Sequence, residues 1–308
     1  MARHEALMYR TEDDFVSVLR PFVLEGVESG EAVFAAGTPE NLEALRSAIG
    51  AAADEVLFVD VRDWYIKPAR TLGAYLSFIT EQLDKGRPAV RIFGEVVWLD
   101  RDVDLQREWI RYEASLNAIL RDLPVWVMCT YDTERLNASK IDAARATHPT
   151  VIEHGVAAAN DRYTPPEQMM VNLTMPMPIP SRHEERRFGA GDVVGPSAFV
   201  IDHARRAGLT EDARSNVAAA ASEIVMGAAA RASGPVLVAA WTDDEDFICQ
   251  IEDENPTPPD PLAGYGPPLT NAPNDWGLWL ARHLSDLLEV GIGSRGTAVR
   301  LKMRRSLA

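Results

Sequence analysis

Apolar positions in the first half of the chain alternate between strand-like runs and helical spacing. The runs "EAVFAAG", "EVLFVDV", "AVRIFGE" and "PVWVMCTYD" are typical of buried strands, whereas apolar residues recur at helical intervals after the capping-box pair Thr11 and Asp14. Further helices are predicted over "TPENLEALRSAIG", which begins with the capping residue Thr38, and over residues 68–84, 104–121 and 134–145. Buried strands that alternate with helices predict a parallel sheet covered on both faces.

The second half of the chain follows a different order. The alternation stops between Thr164 and Gly195, where proline and charged residues restrict the backbone to extended conformations. Two predicted helices, two strands, a proline-rich loop, the helix "GLWLARHLSDLLEV" and the closing strand "GTAVRLKMR" follow. This order predicts an α/β sandwich, with helices on one face of a largely antiparallel sheet. We therefore expect a domain of residues 1–163, a proline-rich linker of 164–190 and a second domain of 191–308.

Composition and charge exclude several classes of protein. The chain has 308 residues, of which 46% are hydrophobic and 25% charged, as in soluble globular proteins. Its net charge of −15 leaves no basic face for nucleic acid. No apolar run approaches the roughly 18 residues of a membrane span, and the N-terminus lacks the apolar stretch of a signal peptide. We expect a cytoplasmic protein that binds neither nucleic acid nor membrane.

Cysteine and histidine positions give no local metal motif. The two cysteines, Cys129 and Cys249, lie far apart in apolar strand-like runs and are interpreted as buried structural thiols. None of the six histidines has a second His or Cys at ligand spacing, so no metal site is expected from the sequence.

Residues 3–163 resemble a known sensory domain. The segments "HEALMY", "FVLEGVESGEAV", "FVDVRDWY", "VRIFGEVVW", "EWIRYEASLN", "PVWVMCTYD" and "ATHP" are similar to those of the MEDS domain, first described in regulators of methanogens and methylotrophs. The resemblance implies a RecA- or clock-ATPase-like α/β fold and a role in sensing small molecules. "LEGVESGEAV" lacks the lysine and Ser/Thr of a phosphate-binding loop, so ATP hydrolysis is not expected in this domain.

Polar and aromatic residues in this domain are candidates for the pocket of an unidentified small molecule. Most follow predicted strands, whose carboxyl ends bind ligands in open parallel sheets, and the helix 104–121 and "HEALMY" supply the rest. The alternative interpretation is that each is a capping or salt-bridge residue. The candidates are His4, Asp60, Arg62, Trp64, Glu95, Trp98, Glu113, Asn117, Tyr131 and Asp132.

Residues 190–305 resemble the anti-sigma-factor serine kinase branch of the GHKL ATPases. The resemblance rests on "ASEIV", "CQIEDENP", "PDPLAGYGPP", "GLWLARHLSD" and "GTAVRL", which occur in the family's order. In that family a helix carries an acidic general base and, four residues later, an asparagine that holds Mg²⁺. Here Glu223 stands at the base position and Gly227 at the asparagine position, and glycine offers no side-chain oxygen to Mg²⁺.

Two further motifs of the kinase family are altered. Asp253 stands at the position of the aspartate that reads adenine, but Asn255 and Thr257 replace the glycines that follow it. In the turn that receives phosphates only Gly277 remains, and Asp275 would place negative charge near them. No cofactor is certain from the sequence, and ATP with Mg²⁺ is expected to bind weakly, if at all.

These resemblances together predict a two-domain bacterial regulator of transcription. A sensory domain would be joined to an anti-sigma-kinase-like domain that is inactive, in the manner of a pseudokinase, and that binds a sigma factor or a STAS-type anti-sigma antagonist. One alternative is an active protein serine kinase with Glu223 as its base. Another is a metabolite-modifying enzyme in residues 1–163, for which the sequence supplies no set of catalytic groups. A homodimer is left open.

Overall fold

Two separate β-sheets organise the chain. The computed structural model describes residues 2–97, 103–189, 192, 194–231, 234–255, 259–267 and 275–305. It divides into unit 1, Met1–Met170, and unit 2, Val171–Ala308. The α/β fold class is confirmed, with a mostly parallel sheet in unit 1 and an antiparallel sheet in unit 2.

Sheet A of unit 1 has seven strands in the order β3-β2-β4-β5-β1-β6-β7. All its neighbouring strands are parallel except β6 and β7. The strands are β1 (Arg3–Tyr9), β2 (Ala32–Gly37), β3 (Val56–Asp60), β4 (Val90–Glu95), β5 (Val125–Asp132), β6 (Thr150–Glu153) and β7 (Val156–Ala159). The first six helices are α1 (Glu12–Glu28), α2 (Pro39–Ile49), α3 (Val61–Trp64), α4 (Pro68–Asp84), α5 (Val103–Ile119) and α6 (Ala138–Thr147).

Helices cover both faces of sheet A, as the sequence predicts. Helices α1 and α2 pack on one face, in a core that includes Phe15, Leu45 and Met128. Successive strand residues point to opposite faces, so Cys129 projects to the other side, where Glu113 of α5 contacts it. The predicted capping box of α1 is present at Thr11.

Sheet B of unit 2 has five antiparallel strands in the order β11-β12-β10-β9-β8. Its helices share an apolar core with one face of the sheet, in which Val238, Cys249 and Leu301 are completely buried. The strands are β8 (Glu184–Phe188), β9 (Val236–Thr242), β10 (Asp246–Glu252), β11 (Leu287–Ile292) and β12 (Thr297–Arg304). The remaining helices are α7 (Pro166–Asn172), which crosses the boundary of the two units, α8 (Gly195–Arg206), α9 (Glu211–Arg231) and α10 (Asp275–Leu284).

The structure corrects two features of the sequence prediction. The helix expected over 277–290 ends at Leu284, because the following residues form β11 and pair with β12. Residues 164–190, expected to be a linker, contain α7 and β8, and β8 is the edge strand of sheet B. Local propensity did not reveal these strands because the partner of β8 is distant in sequence, and because the pairing of β11 with the next strand, β12, overrides its helical propensity.

Candidate functional site

Four buried side chains from different elements of unit 1 meet beneath α5. His4 lies on β1, Cys129 on β5, Glu113 on α5, and His148 directly after α6. Cys129 Sγ is 3.4 Å from both His4 Nε2 and Glu113 Oε2, and Glu113 Oε2 is 3.6 Å from both His4 Nε2 and His148 Nε2. The exposed fraction of each residue is 6% or less. We call these four residues the His-Cys-Glu cluster.

The strand order explains how two of these residues meet. Strands β1 and β5 are parallel neighbours, with His4 opposite Val127 and Ala6 opposite Cys129. Because side chains alternate along a strand, His4 and Cys129 lie on the same face of sheet A. Glu113 and Asn117 are four residues apart on α5, so both side chains lie on one face of that helix.

Hydrogen bonds orient both imidazole rings of the cluster. The amide nitrogen of Asn117 donates to the carbonyl oxygen of Thr147 at 2.8 Å, so its side-chain oxygen accepts from His4 Nδ1 at 3.1 Å. His148 Nδ1 donates to the carbonyl oxygen of Ala144 at 2.7 Å. A neutral imidazole that is protonated at Nδ1 carries a lone pair at Nε2. In this neutral form, both Nε2 atoms direct lone pairs toward the cluster.

Burial determines the protonation of two groups in the cluster. Burial, and then the neighbouring Glu113, raises the pKa of the Cys129 thiol well above its ordinary value. Burial, and then His4, lowers the pKa of His148 well below its ordinary value. His148 is completely buried, yet its Nε2 has no hydrogen-bond partner among the described residues. At neutral pH it is an uncharged imidazole with a free lone pair.

A cleft and a buried tyrosine adjoin the cluster. The cleft has a volume of about 370 Å³, and His4, Asn117 and Tyr163 are among its lining residues. Tyr131 packs edge-on against His148, with ring centroids 5.6 Å apart. Its hydroxyl is buried and has no hydrogen-bond partner in the part of the chain that the structure describes. Of the four cluster residues, His4 lines the cleft.

Glu95, another pocket candidate, is held by a separate hydrogen-bond network at the carboxyl end of β4. Its carboxylate accepts from the backbone N–H and hydroxyl of Thr38, at 2.7 and 2.9 Å, from Asn41 Nδ2 at 2.9 Å and from the Tyr9 hydroxyl at 3.2 Å. Burial, and then Glu95, raises the pKa of Tyr9. The Thr38 hydroxyl, predicted to cap α2, makes no capping hydrogen bond and instead joins this network. The network attaches the start of α2 to the sheet.

Asp60 and Arg62 form a local pair at the end of β3. Asp60 caps α3 by accepting from the Arg62 backbone N–H at 2.9 Å, and the Arg62 guanidinium forms an ion pair with the same carboxylate. The Arg62 side chain is exposed. Hydrogen bonding to Arg62 lowers the pKa of Asp60. These contacts match the alternative interpretation of the two residues as a cap and a salt bridge.

The remaining pocket candidates have local partners or are not described. Asp132 accepts from the backbone N–H groups of Glu134 and Arg135 at 2.9 and 3.2 Å. The Trp64 ring packs against Phe34, with centroids 4.7 Å apart. Trp98 lies outside the described residues. The structure thus brings together four of the candidates: His4, Glu113, Asn117 and Tyr131.

In unit 2, the residues of the kinase-like motifs lie on α9 and α10. Glu223 and Gly227 are both half-buried and one turn apart on α9. Gly277 lies in the first turn of α10, where an added Cβ would be 3.1 Å from the carbonyl oxygen of Glu223. A side chain at this position would press against the α9 backbone. Gly277 therefore also serves the packing of α10 on α9.

Asp253 is buried at the end of β10. Its carboxylate accepts from the Asn255 backbone N–H at 3.0 Å, and the Asn255 carbonyl oxygen accepts from the Thr297 backbone N–H at 2.9 Å. The turn after β10 is thus attached to the start of β12. Thr257 and the side chain of Asp275 lie outside the described part of the chain.

Comparisons with known families agree with the two units. Residues 3–149 match the family model described as MEDS, the MEthanogen/methylotroph, DcmR Sensory domain. Residues 193–303 match the model of the Histidine kinase-like ATPase domain. The chain joins a MEDS domain to a histidine kinase-like ATPase domain. This pairing makes the protein a signal-transduction regulator. No curated protein matches the sequence, and no helix in the described residues has the length and apolarity to cross a membrane.

Sequence reasoning missed two members of the cluster in the MEDS domain. The sequence predicts Cys129 to be a buried structural thiol, of which the structure confirms the burial alone, and it places His148 among the histidines that lack a ligand partner. Spacing along the chain could not reveal the cluster, since its members lie at positions 4, 113, 129 and 148. The available signal was that "HEALMY", "EWIRYEASLN", "PVWVMCTYD" and "ATHP", which contain these residues, all belong to the resemblance.

Proposed function

We propose that the MEDS domain senses a small molecule and that the ATPase-like domain transmits the signal by binding a protein partner, with little or no use of Mg-ATP. This regulator would act in the cytoplasm on transcription. The observation that carries the proposal is Gly227, one helical turn after Glu223 on α9.

The position of Gly227 bears on metal and phosphate binding. Mg²⁺ takes oxygen ligands in near-octahedral geometry and, in nucleotide sites, is held by few protein groups besides the phosphates. Glycine contributes no side-chain oxygen, so an ATP-bound Mg²⁺ would lose its protein ligand from α9. The Glu223 carboxylate alone would then add negative charge without a metal to balance it. This supports weak binding of Mg-ATP.

The turn after β10 supports the same proposal. Related kinases keep glycines after the adenine-reading aspartate, where the backbone approaches the nucleotide. Here Asn255 carries a side chain at the first of these positions, and its backbone is hydrogen-bonded to both Asp253 and Thr297. Accommodating a nucleotide would require this turn to move or the Asn255 side chain to turn away.

The sensory role of the MEDS domain is supported by the cleft beside His4. Its volume of about 370 Å³ lies at the lower end of the range of about 300–1,000 Å³ that is typical of small-molecule sites. It combines an apolar wall that includes Leu116 and Leu120 with the polar groups of His4 and Asn117. This combination suits a small, partly polar molecule.

The partner that we propose is a sigma factor or a STAS-type anti-sigma antagonist, as in the kinases that unit 2 resembles. The test is direct binding of the purified full-length protein to a purified sigma factor and to a purified STAS protein from the same organism. We expect one of them to bind without ATP. Failure of both to bind a folded, full-length chain would contradict the partner assignment.

Isothermal titration of the full-length protein with Mg-ATP tests the nucleotide part of the proposal. We expect no binding in the micromolar range, and Gly227→Asn alone should not restore it because Asn255 and Thr257 remain. The rival function is an active serine kinase, and the half-buried Glu223 at the base position favours it. A low-micromolar dissociation constant that Asp253→Ala abolishes, together with phosphate transfer to a STAS protein, would establish that kinase.

A further inference from the structure

We propose that the His-Cys-Glu cluster of the MEDS domain is a transition-metal site, with Zn²⁺ as the best fit to its four ligands. The ligands would be His4 Nε2, His148 Nε2, Cys129 Sγ and Glu113 Oε2. The site goes beyond the proposed signalling function and rests on its own geometry. It would stand even if unit 2 proved to be an active kinase.

Four of the six distances among the ligand atoms match tetrahedral coordination. A tetrahedron with ordinary zinc bond lengths has ligand–ligand edges of about 3.4–3.6 Å. Four of the distances from Cys129 Sγ and Glu113 Oε2 to their neighbours are 3.4 or 3.6 Å. All four ligand atoms lie within 4.8 Å of one another. A metal ion could bind at their centre after small shifts of the side chains.

The hydrogen bonds around the cluster prepare both histidines to bind a metal. Metal-binding histidines typically donate their second ring N–H to a carbonyl, carboxylate or water, which fixes the ring and its tautomer. His148 donates to the Ala144 carbonyl oxygen and His4 to the Asn117 side-chain oxygen. Asn117 is itself fixed by its bond to the Thr147 carbonyl oxygen. Both Nε2 lone pairs consequently point at the same small volume.

Electrostatics also favour a cation in this volume. Three acceptor atoms, His4 Nε2, His148 Nε2 and Glu113 Oε2, converge on one another, and acceptors do not stabilise each other without a cation or a donor between them. The Cys129 thiol is only a weak donor, and His148 Nε2 is 3.6 Å from the carboxylate, beyond hydrogen-bond distance. A divalent metal with one thiolate and one carboxylate would leave the buried site with no net charge.

The ligand types select the class of metal. Imidazole and thiolate ligands suit Zn²⁺, Co²⁺ and Cu²⁺, whereas Mg²⁺ and Ca²⁺ require oxygen ligands. Only one of the four ligand atoms here is an oxygen. The cleft lined by His4 and Asn117 lies next to one of the four ligands. On binding, the Cys129 thiol would release its proton to solvent and the sulfur would bind the ion as thiolate.

Co²⁺ serves as the test probe because its absorption reports both geometry and sulfur ligation. The full-length protein is freed of metal with a chelator and titrated with Co²⁺ under reducing conditions. We expect the visible bands of tetrahedral Co²⁺ and a near-ultraviolet sulfur-to-cobalt band, both reaching saturation at one ion per chain. Added Zn²⁺ should displace the Co²⁺ and abolish the spectrum.

Matched variants assign the signal to the cluster. Cys129→Ser should abolish the sulfur-to-cobalt band, whereas Cys249→Ser, at the buried thiol of unit 2, should leave it unchanged. Asn117→Ala should weaken metal affinity by about 10-fold to 100-fold, because it releases the His4 ring without removing a ligand. Circular dichroism would establish that each variant is folded.

Several results would overturn the metal site. Wild-type protein that binds neither Co²⁺ nor Zn²⁺ would show that the cluster is a structural arrangement of protonated and neutral groups, whatever the variants do. Equal loss of the sulfur band in the two cysteine variants would place the ion elsewhere. An unchanged affinity in folded Asn117→Ala would contradict the role assigned to its hydrogen bond with His4.

Discussion

Glu95 and Glu113 are buried carboxylates of the same domain with opposite surroundings. Glu95 is 6% exposed and accepts from Tyr9, Thr38 and Asn41, so every contact described for it is with a donor. Glu113 is 2% exposed and faces a thiol and two imidazole nitrogens that carry lone pairs. A carboxylate surrounded by donors is explained by folding, whereas one that faces two imidazole acceptors and a weak thiol donor is the one that a cation would stabilise. Burial alone would not have separated the two.

Replacing Glu95, the carboxylate that is surrounded by donors, should cause the largest change in the free energy of unfolding. Glu95→Ala leaves the Tyr9 hydroxyl and the backbone N–H and hydroxyl of Thr38 without their acceptor, while Asn41 Nδ2 keeps its hydrogen bond to the Tyr9 oxygen at 3.1 Å. Each buried unpaired donor costs about 1–3 kcal/mol, and relaxation relieves part of the sum, so we expect a loss of about 3–5 kcal/mol in the free energy of unfolding. Urea denaturation measures it, with the exposed Glu134→Ala as control. A loss below about 1 kcal/mol would show that the network contributes little to stability.

Glu113, the carboxylate that faces the two imidazole acceptors, should affect the free energy of unfolding mainly by binding a metal ion. Free Zn²⁺ at 100 times its dissociation constant should raise the free energy of unfolding of the wild type by about 2.7 kcal/mol. Glu113→Gln removes a charged ligand and should lose most of that increment, while its stability without metal changes much less than that of Glu95→Ala. Thermal or urea unfolding with and without Zn²⁺ makes the comparison. If Zn²⁺ stabilised both proteins equally, Glu113 would not be a ligand.

The two buried thiols also differ in their surroundings, because Cys129 contacts His4 and Glu113 whereas Cys249 lies among apolar side chains. The pKa of Cys249 can be tested at alkaline pH. Cys249 packs in the apolar core of unit 2, where burial raises its pKa from 9.0 to about 12. The folded protein therefore keeps this proton while the unfolded chain loses it, so the associated stability is intact below pH 9 and falls as pH rises toward 12.

At one pH unit above the pKa of the Cys249 thiol in the unfolded chain, the loss in the free energy of unfolding should be about 1.4 kcal/mol. Cys249→Ala should reduce the decline in unfolding free energy between pH 8 and pH 10 by that amount. Urea denaturation at the two pH values, in wild type and variant, gives the difference. An identical decline in both proteins would mean that Cys249 ionises at the same pH in the folded and unfolded states.

The fold was largely predictable from sequence because most of its signals are local. Helix α4 has its predicted bounds of 68–84, and the runs expected as β2–β5 form those strands. The segment "LLEV" is predicted to be helical but forms part of β11, because its pairing with β12 overrides helical propensity. The cluster depends on the sheet order β5-β1-β6, which brings positions 129, 4 and 148 together. That order is a tertiary property, so candidates such as Glu95 and Glu113 looked equivalent in sequence.

Replacing Arg62, a charged pocket candidate that lies at the surface, should cause the smallest change in the free energy of unfolding. The Arg62 side chain is 65% exposed, and its ion pair with Asp60 is open to solvent. Exposed pairs of this kind contribute about 0–1 kcal/mol. Because Asp60 accepts from the backbone N–H of residue 62, the cap of α3 survives Arg62→Ala.

We therefore expect Arg62→Ala to change the free energy of unfolding by about 0.5 kcal/mol or less and to leave Co²⁺ affinity unchanged. Asp60→Ala, which removes the cap as well, should cost about 1 kcal/mol. Urea denaturation and Co²⁺ titration of the two variants supply both measurements. A greater loss for Arg62→Ala than for Asp60→Ala would mean that the guanidinium, and not the cap, holds α3. A change in Co²⁺ affinity would mean that this surface pair influences metal binding by the buried cluster, and the two sites could then no longer be treated as independent.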